Sequence, residues 1–477
     1  MKSGAGMQPG GDAERGGGVQ AKFLTGNLLR HVTVMSLTAS VGLMAVFLVD
    51  FVDMIFIAML GKAELAAAVG YAGAILFFTA SVGIGLGIAV GALVARALGA
   101  GDRAGARARA THGMIHGVLF GLALSAAVWT ALPWLVGLLG ATGRTADLTV
   151  HYLAIIVPSQ PLLMAGMIGG AILRAHGDAR TAMMTTIWGG LVNAVLDPIL
   201  IFGLDLELTG AAIASVAARV VIAGVALRSI LMRHGGLDRP GLPGLARDLR
   251  PLAAIAVPAM LTQVATPFGQ AWVTRAMAAY GEEAVAGLAI VARLTPVAFG
   301  VLFALSGAVG PIIGQNYGAR NMARVRRGFL DALLFCGIVT VVVSVVLFVL
   351  REPIAALFSA TGETRALVFL FCGPLALLWF FNGAIFVANA AFNNLGHPYY
   401  STWTNWARHT VGTIPFVLVA GWLYGAPGVL IGQAVGGVLF GGLSIWLALR
   451  VIDRPADRGP EPFGREGRLL SLFSLRR

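Results

Sequence analysis

An asparagine, an aspartate and a proline sit close together inside one long apolar run. The stretch is NAVLDPILIF, Asn193 to Phe202. Asn193 and Asp197 are four apart, so a helix places them on one face. Pro198 has no backbone N–H, which leaves the carbonyl of Ala194 without its usual partner. A second apolar run carries Asp53, with Asp50 three residues before it. Two carboxylates, an amide oxygen and a bare carbonyl make an oxygen-rich pocket. Such a pocket suits a proton or a small hard cation such as Na⁺, here at Asp53, Asn193 and Asp197.

The elements that must position these groups are set by the solvent. Hydrophobic residues make up 57% of the 477 and charged residues 12%, with a mean hydropathy of +0.83. Soluble domains carry roughly 25% charged residues. The chain is therefore expected to be an all-α integral membrane protein. A bilayer core needs about 20 apolar residues per helix. Cutting at polar and Gly/Pro breaks predicts twelve spans, near 33–59, 65–97, 112–139, 147–174, 182–204, 209–231, 251–279, 284–317, 328–350, 365–392, 399–423 and 427–450. No alternating strand pattern argues for a β-barrel. A carboxylate at mid-bilayer costs roughly 2.5–3.5 kcal/mol and is usually turned inward, paired and functional. Counting back from the predicted span ends at 1.5 Å per residue puts Asp53 and Asp197 at one level, roughly 10 Å below the outer surface.

The loops alternate in charge. One set holds Arg103, Arg107 and Arg109, then Arg174 and Arg180, then Arg228, Arg233, Arg239, Arg247 and Arg250, then Arg320, Arg324, Arg326 and Arg327. The other set is short and weakly charged. The positive-inside rule puts the Arg-rich set and both termini in the cytosol; the expected location of this multi-pass chain is the bacterial inner membrane. This accounts for the net charge of +12. The arginines are spread over loops, not gathered on a folded domain, so nucleic acid is not an expected partner and membrane lipid is.

The two halves echo each other. LGAGDRAGARAR resembles YGARNMARVRRG, and ILRAHGDAR resembles FNNLGHPYY; Gly99 and Gly318 are 219 positions apart, as are Gly177 and Gly396. The expected architecture is two six-helix bundles related by pseudo-two-fold symmetry, about an axis along the membrane normal, a plan found in transporters. The expected divisions are a disordered cytosolic tail at 1–25, an amino-terminal lobe at 26–232, a linker at 233–250, a carboxyl-terminal lobe at 251–452 and a basic tail at 453–477. At the repeat offset Asp197 corresponds to Phe416. A structural carboxylate should occur in both halves, so the asymmetry points to one lobe handling an ion. The competing reading is a fixed ion pair of Asp197 with Arg219 in helix 6, which would spoil a switch.

These residues match a known pattern. VDMIFIAMLGKAELAAAVG (52–70), LRAHGDARTAMMTTIWGGLVNAVLDPILIFG (173–203), GAGD (99–102) and GAR (318–320) resemble the multidrug and toxic compound extrusion (MATE) transporters, in order and over nearly the whole chain. The resemblance implies a V of two bundles, usually a monomer, that exports organic, often cationic, drugs in exchange for H⁺ or Na⁺. It implies no cofactor beyond that ion and no enzymatic reaction. In the DinF-like and archaeal branch the first-helix Asp and the fifth-helix Asn and Asp form the cation site. Those roles carry over to Asp53, Asn193 and Asp197, with the helix 6 hydroxyl near Ser215. The chain departs from the other main branch: VPAMLTQVATPFGQ, 257–270, has no helix 7 acid.

Weaker candidates for contact with a small-molecule substrate are Gln160 beside the PSQP bend, Gln263 in helix 7, Trp379 and Asn382 in helix 10, and Arg408 in helix 11. Aromatic faces with neutral amides can hold a flat organic cation, and the same residues also glue membrane helices together. Arg408 has no acid at matching depth in its lobe and would suit a helix end or an anionic ligand. His31, His112, His116 and His151 show no ligand grouping. GIGLG, 83–87, reads as close helix packing, because no strand precedes it. Cys336 and Cys372 read as buried thiols. Two rivals to cation-coupled export stay open. A lipid-linked saccharide flippase would favour a wider, more basic cavity. A membrane prenyl-chain or lipid transferase would need paired acidic metal motifs or a His-Glu helix at a cytosolic edge, and the sequence shows neither.

Overall fold

The computed structural model describes residues 21–453. Eleven of its helices are long and apolar enough to cross a membrane. They are α1 Leu28–Met59, α2 Ala63–Gly99, α3 Arg103–Thr130, α4 Gly143–Ala175, α5 Ala179–Gly203, α6 Glu207–Arg233, α7 Leu242–Ala278, α8 Glu282–Gly318, α9 Met322–Leu357, α10 Gly362–Leu395 and α12 Ala426–Ile452. The twelfth span, α11, is broken into Pro398–His409 and Ile414–Tyr424. The sequence predicts it as one continuous helix over 399–423. Pro415 removes the N–H that would bond the carbonyl four residues back, and the chain turns at Thr410–Thr413.

The helices run past their apolar stretches. Asp102 and Asn321 cap α3 and α9, accepting from the backbone N–H of Gly105 and Arg324, so each arginine-bearing loop begins a helix. Helix α7 starts at Leu242, inside the stretch expected to be linker, with Pro243 in its first turn. Residues 22–24, inside the stretch expected to be tail, form a short 3-10 turn with Phe23 fully buried. Residues 1–20 and 454–477 of the expected tails lie outside the described residues.

Packing follows the repeat. In the amino lobe α1 packs on α5, α2 on α3 and α4, α4 on α6, and α5 on α6. In the carboxyl lobe α7 packs on α11, α8 on α9 and α10, α10 on α12, and α11 on α12. Each pair in one list has its equivalent in the other. Between the lobes α1 meets α8 and α2 meets α7, with α2 against α8 on the pseudo-axis. Small residues allow the close approach. A Cβ at Gly85 of the GIGLG stretch would come within 2.8 Å of the Met260 backbone nitrogen on α7, which fits the packing role read from sequence.

Candidate functional site

Helices α1 and α5 pack along each other and carry the acids to one place. The Asn193 amide nitrogen donates to Asp53 Oδ1 at 3.2 Å and to Asp197 Oδ2 at 2.5 Å. The two carboxyl groups also lie within hydrogen-bonding reach of each other. Asp197 is fully buried and Asn193 is 5% exposed, while Asp53 is half-buried. Asp197 Oδ1 has no partner. Beyond Pro198, α5 continues as a π turn, Ile199–Gly203. Asp50 is exposed one turn earlier on α1 and close enough to repel Asp53. An exposed mid-span carboxylate is costly against lipid. Two carboxylates in contact repel each other unless one takes up a proton or a cation joins them.

Arg219 does not reach the acids. Its guanidinium donates to the Ile156 carbonyl and to Ser159 Oγ at 2.9 Å, where the Val157–Ser159 turn bends α4. Among the described residues no ion pair holds Asp53 or Asp197. Tyr152 of α4 bridges the two groups. It is 8% exposed, within electrostatic reach of Asp53, Asp197 and Arg219, with the Ser215 hydroxyl as hydrogen-bond partner. Ser215 is therefore joined to Tyr152, a residue the sequence reading missed. Gln160 is fully buried and donates to Thr79 Oγ1 of α2 at 2.8 Å.

The other substrate candidates are dispersed. Trp379 stacks on Phe299 at 4.9 Å, where α8 departs from helical geometry after Pro296. Gln263 is half-buried on α7. Only Asn382 and Arg408 are brought together, by a hydrogen bond of 2.5 Å.

The face carrying the arginine loops is closed by a pair of latches. Arg96 at the end of α2 donates from Nε to the Asn394 carbonyl of the other lobe at 2.7 Å. Gln315 at the end of α8 donates to the Ala175 carbonyl of the first lobe at 2.8 Å. Positions 96 and 315 are 219 apart, as are 175 and 394, so these are one contact made twice. Cβ atoms at Gly99 and Gly318 would overlap the carbonyls of Gln315 and Arg96. Phe23 fits into this seam: its N–H donates to Gln315 Oε1, and its carbonyl accepts from Asn316 and Arg324. On the same two central helices the repeat-equivalent Phe78 and Val297, away from the latch, are 50% and 66% exposed.

A family model named MatE matches residues 39–199 and again 258–419, one match in each lobe with starts 219 apart. The chain belongs to the MatE family. A FAD transporter of Shewanella oneidensis is 27% identical over 90% of this chain and 96% of its own length. Multidrug export protein MepA of Staphylococcus aureus is 28% identical over 48% of this chain and 52% of its own. A mutant of the Vibrio cholerae MATE transporter VcmN superposes with a TM-score of 0.84 at 25% identity, covering 89% of this chain and 96% of that one. This MATE protein is thus a multi-pass membrane transporter, not an enzyme.

Proposed function

We propose that this MATE transporter is a secondary antiporter of the DinF-like type, exchanging organic compounds for a cation held by Asp53, Asn193 and Asp197. The observation that carries this reading is the contact of two carboxylates, one of them sealed from water with an idle oxygen and without an arginine. Asn193 turns its N–H groups toward both acids, so Na⁺ would require the amide to turn over. The geometry favours a proton. The arginine loops then lie in the cytosol, and the latched face is the cytosolic gate. Cation uptake at Asp53 removes the repulsion between α1 and α5. Helix α1 also packs on α8 of the other lobe and begins just after Phe23 in the gate seam. One helix thereby links the cation site to the gate. Moving one charge across 100 mV releases about 2.3 kcal/mol, enough to bias uphill export. Relatives named for FAD and for multidrug export support an organic cargo.

The test is dye uptake into everted vesicles, driven in turn by an outward H⁺ gradient and an outward Na⁺ gradient. Uptake should follow the H⁺ gradient and fall steeply in Asp53→Asn and Asp197→Asn. Full activity in both variants would remove the cation role from this pair.

A further inference from the structure

The carboxyl lobe buries a positive charge with no negative partner, and the antiport reading leaves it unused. Arg408 lies at the end of the first half of α11 and is 7% exposed; His409 beside it is 5% exposed. One terminal nitrogen of Arg408 donates to Asn382 Oδ1 at 2.5 Å, and the other lies 2.6 Å from His409 Nε2. A guanidinium only donates, so His409 Nε2 accepts and the ring proton sits on Nδ1. Arg408 Nε and His409 Nδ1 both lack partners. No ion pair with Arg408 occurs among the described residues.

The repeat makes the contrast sharper. Asp53 and Asp197 correspond to Trp272 and Phe416, while Arg408 and His409 correspond to Gly189 and Gly190. One lobe buries acids between its first and fifth helices. The other buries a base on the equivalent of the fifth. A buried guanidinium with an idle N–H is costly unless something occupies that edge. Nε and a neighbouring terminal N–H form a planar fork that matches two oxygens of a carboxylate or phosphate.

Helix α11 breaks directly after His409, between its Pro398–His409 and Ile414–Tyr424 halves. Non-helical backbone at membrane depth is tolerated where it is buried in protein or lines a binding site. His409 lies against Gly269 of α7, and α7 packs on α2 of the other lobe, so the cluster is one helix away from the lobe boundary.

We propose that the Arg408 fork, steadied by Asn382 and His409, binds an anionic oxygen group, a carboxylate or phosphate carried by the exported compound. Cargo would then be amphoteric, not purely cationic. The inference rests on the export reading, and its test separates the two. Fluorescence polarisation on the purified full chain would compare a rhodamine bearing a free carboxylate with the methyl ester of the same dye. Arg408→Gln should weaken the acid at least about tenfold and leave the ester within about twofold. Arg408→Lys should recover part of the loss. Asn382→Asp supplies an internal carboxylate beside Arg408; it should weaken the acid selectively and keep the fold if Arg408→Gln does not. Equal weakening of both dyes, or no change in either, overturns the proposal. A second arm measures thermal stability in added inorganic phosphate. Stabilisation of the wild type but not of Arg408→Gln supports an anion site, and without dye discrimination it assigns that site to a free anion. A wild type that exports neither dye under any gradient counts against export, while the binding and melting arms still read the fork.

Discussion

Asp197 has one oxygen bonded to Asn193 and one with nowhere to go. In a lipid-facing protein such an oxygen is costly unless it is transiently filled. Asp53 and Asp197 should therefore act as a unit. Asp197→Asn keeps the shape of the side chain but removes the second negative charge, so the pair no longer needs to take up a cation. Gradient-driven uptake should fall at least about tenfold, with Asp53→Asn doing the same and the double variant no worse than either single one. Comparison of the three in everted vesicles checks this, and additive losses would show two independent sites. At this scale the sequence was informative where chemistry conflicted with solvent. Carboxylates in apolar runs stand out at Asp53 and Asp197. Tyr152 does not, because a tyrosine in a membrane helix is ordinary. Arg219 misled by its depth alone; its true partner is created by the Val157–Ser159 bend in α4, which no pairwise spacing reveals.

Elements are decided at their ends. Helix α5, which carries Asn193 and Asp197, is capped by Asp178, whose Oδ1 accepts from the Thr181 N–H at 3.1 Å while its other oxygen meets His234 at 3.2 Å. Burial opposes the charge on Asp178, but the Thr181 bonds and His234 outweigh it and hold the carboxyl below its ordinary value of 3.8. The stability this group contributes is therefore present above that pH and fades as the pH falls through the lowered value. Asp178→Ala should cost about 1 kcal/mol. Asp178→Asn should keep most of the cap and lose the acid-dependent part. Thermal melts of both variants across the acid range check the order. Such ends were only partly legible. The apolar count locates each span but stops where arginines begin, although α3 and α9 start with them. In α11 the Pro415 signal was present, yet the apolar run around it favoured a single span.

At the scale of the molecule, the twofold repeat was visible as matching glycines, but the latch it builds was not. Arg96 and Gln315 differ in charge and shape, so sequence comparison does not pair them. Both nevertheless do one thing, donating an N–H to a carbonyl across the lobe boundary. That equivalence allows a test of whether the closed face is a working gate. Gly99 lies where any side chain would meet the Gln315 carbonyl. Gly99→Val should wedge the seam while leaving Asp53, Asn193 and Asp197 untouched. A cysteine at Ala175, which is fully buried and lends its carbonyl to the latch, would report the state, because Cys336 and Cys372 are buried. Thiol labelling of Ala175→Cys should be slow in the parent and markedly faster with Gly99→Val, and gradient-driven efflux should be lost. Phe23→Ala, which empties the seam without forcing it apart, should fall between the two. Faster labelling with undiminished efflux would show that the seam is scaffold, and that the lobes alternate about some other contact.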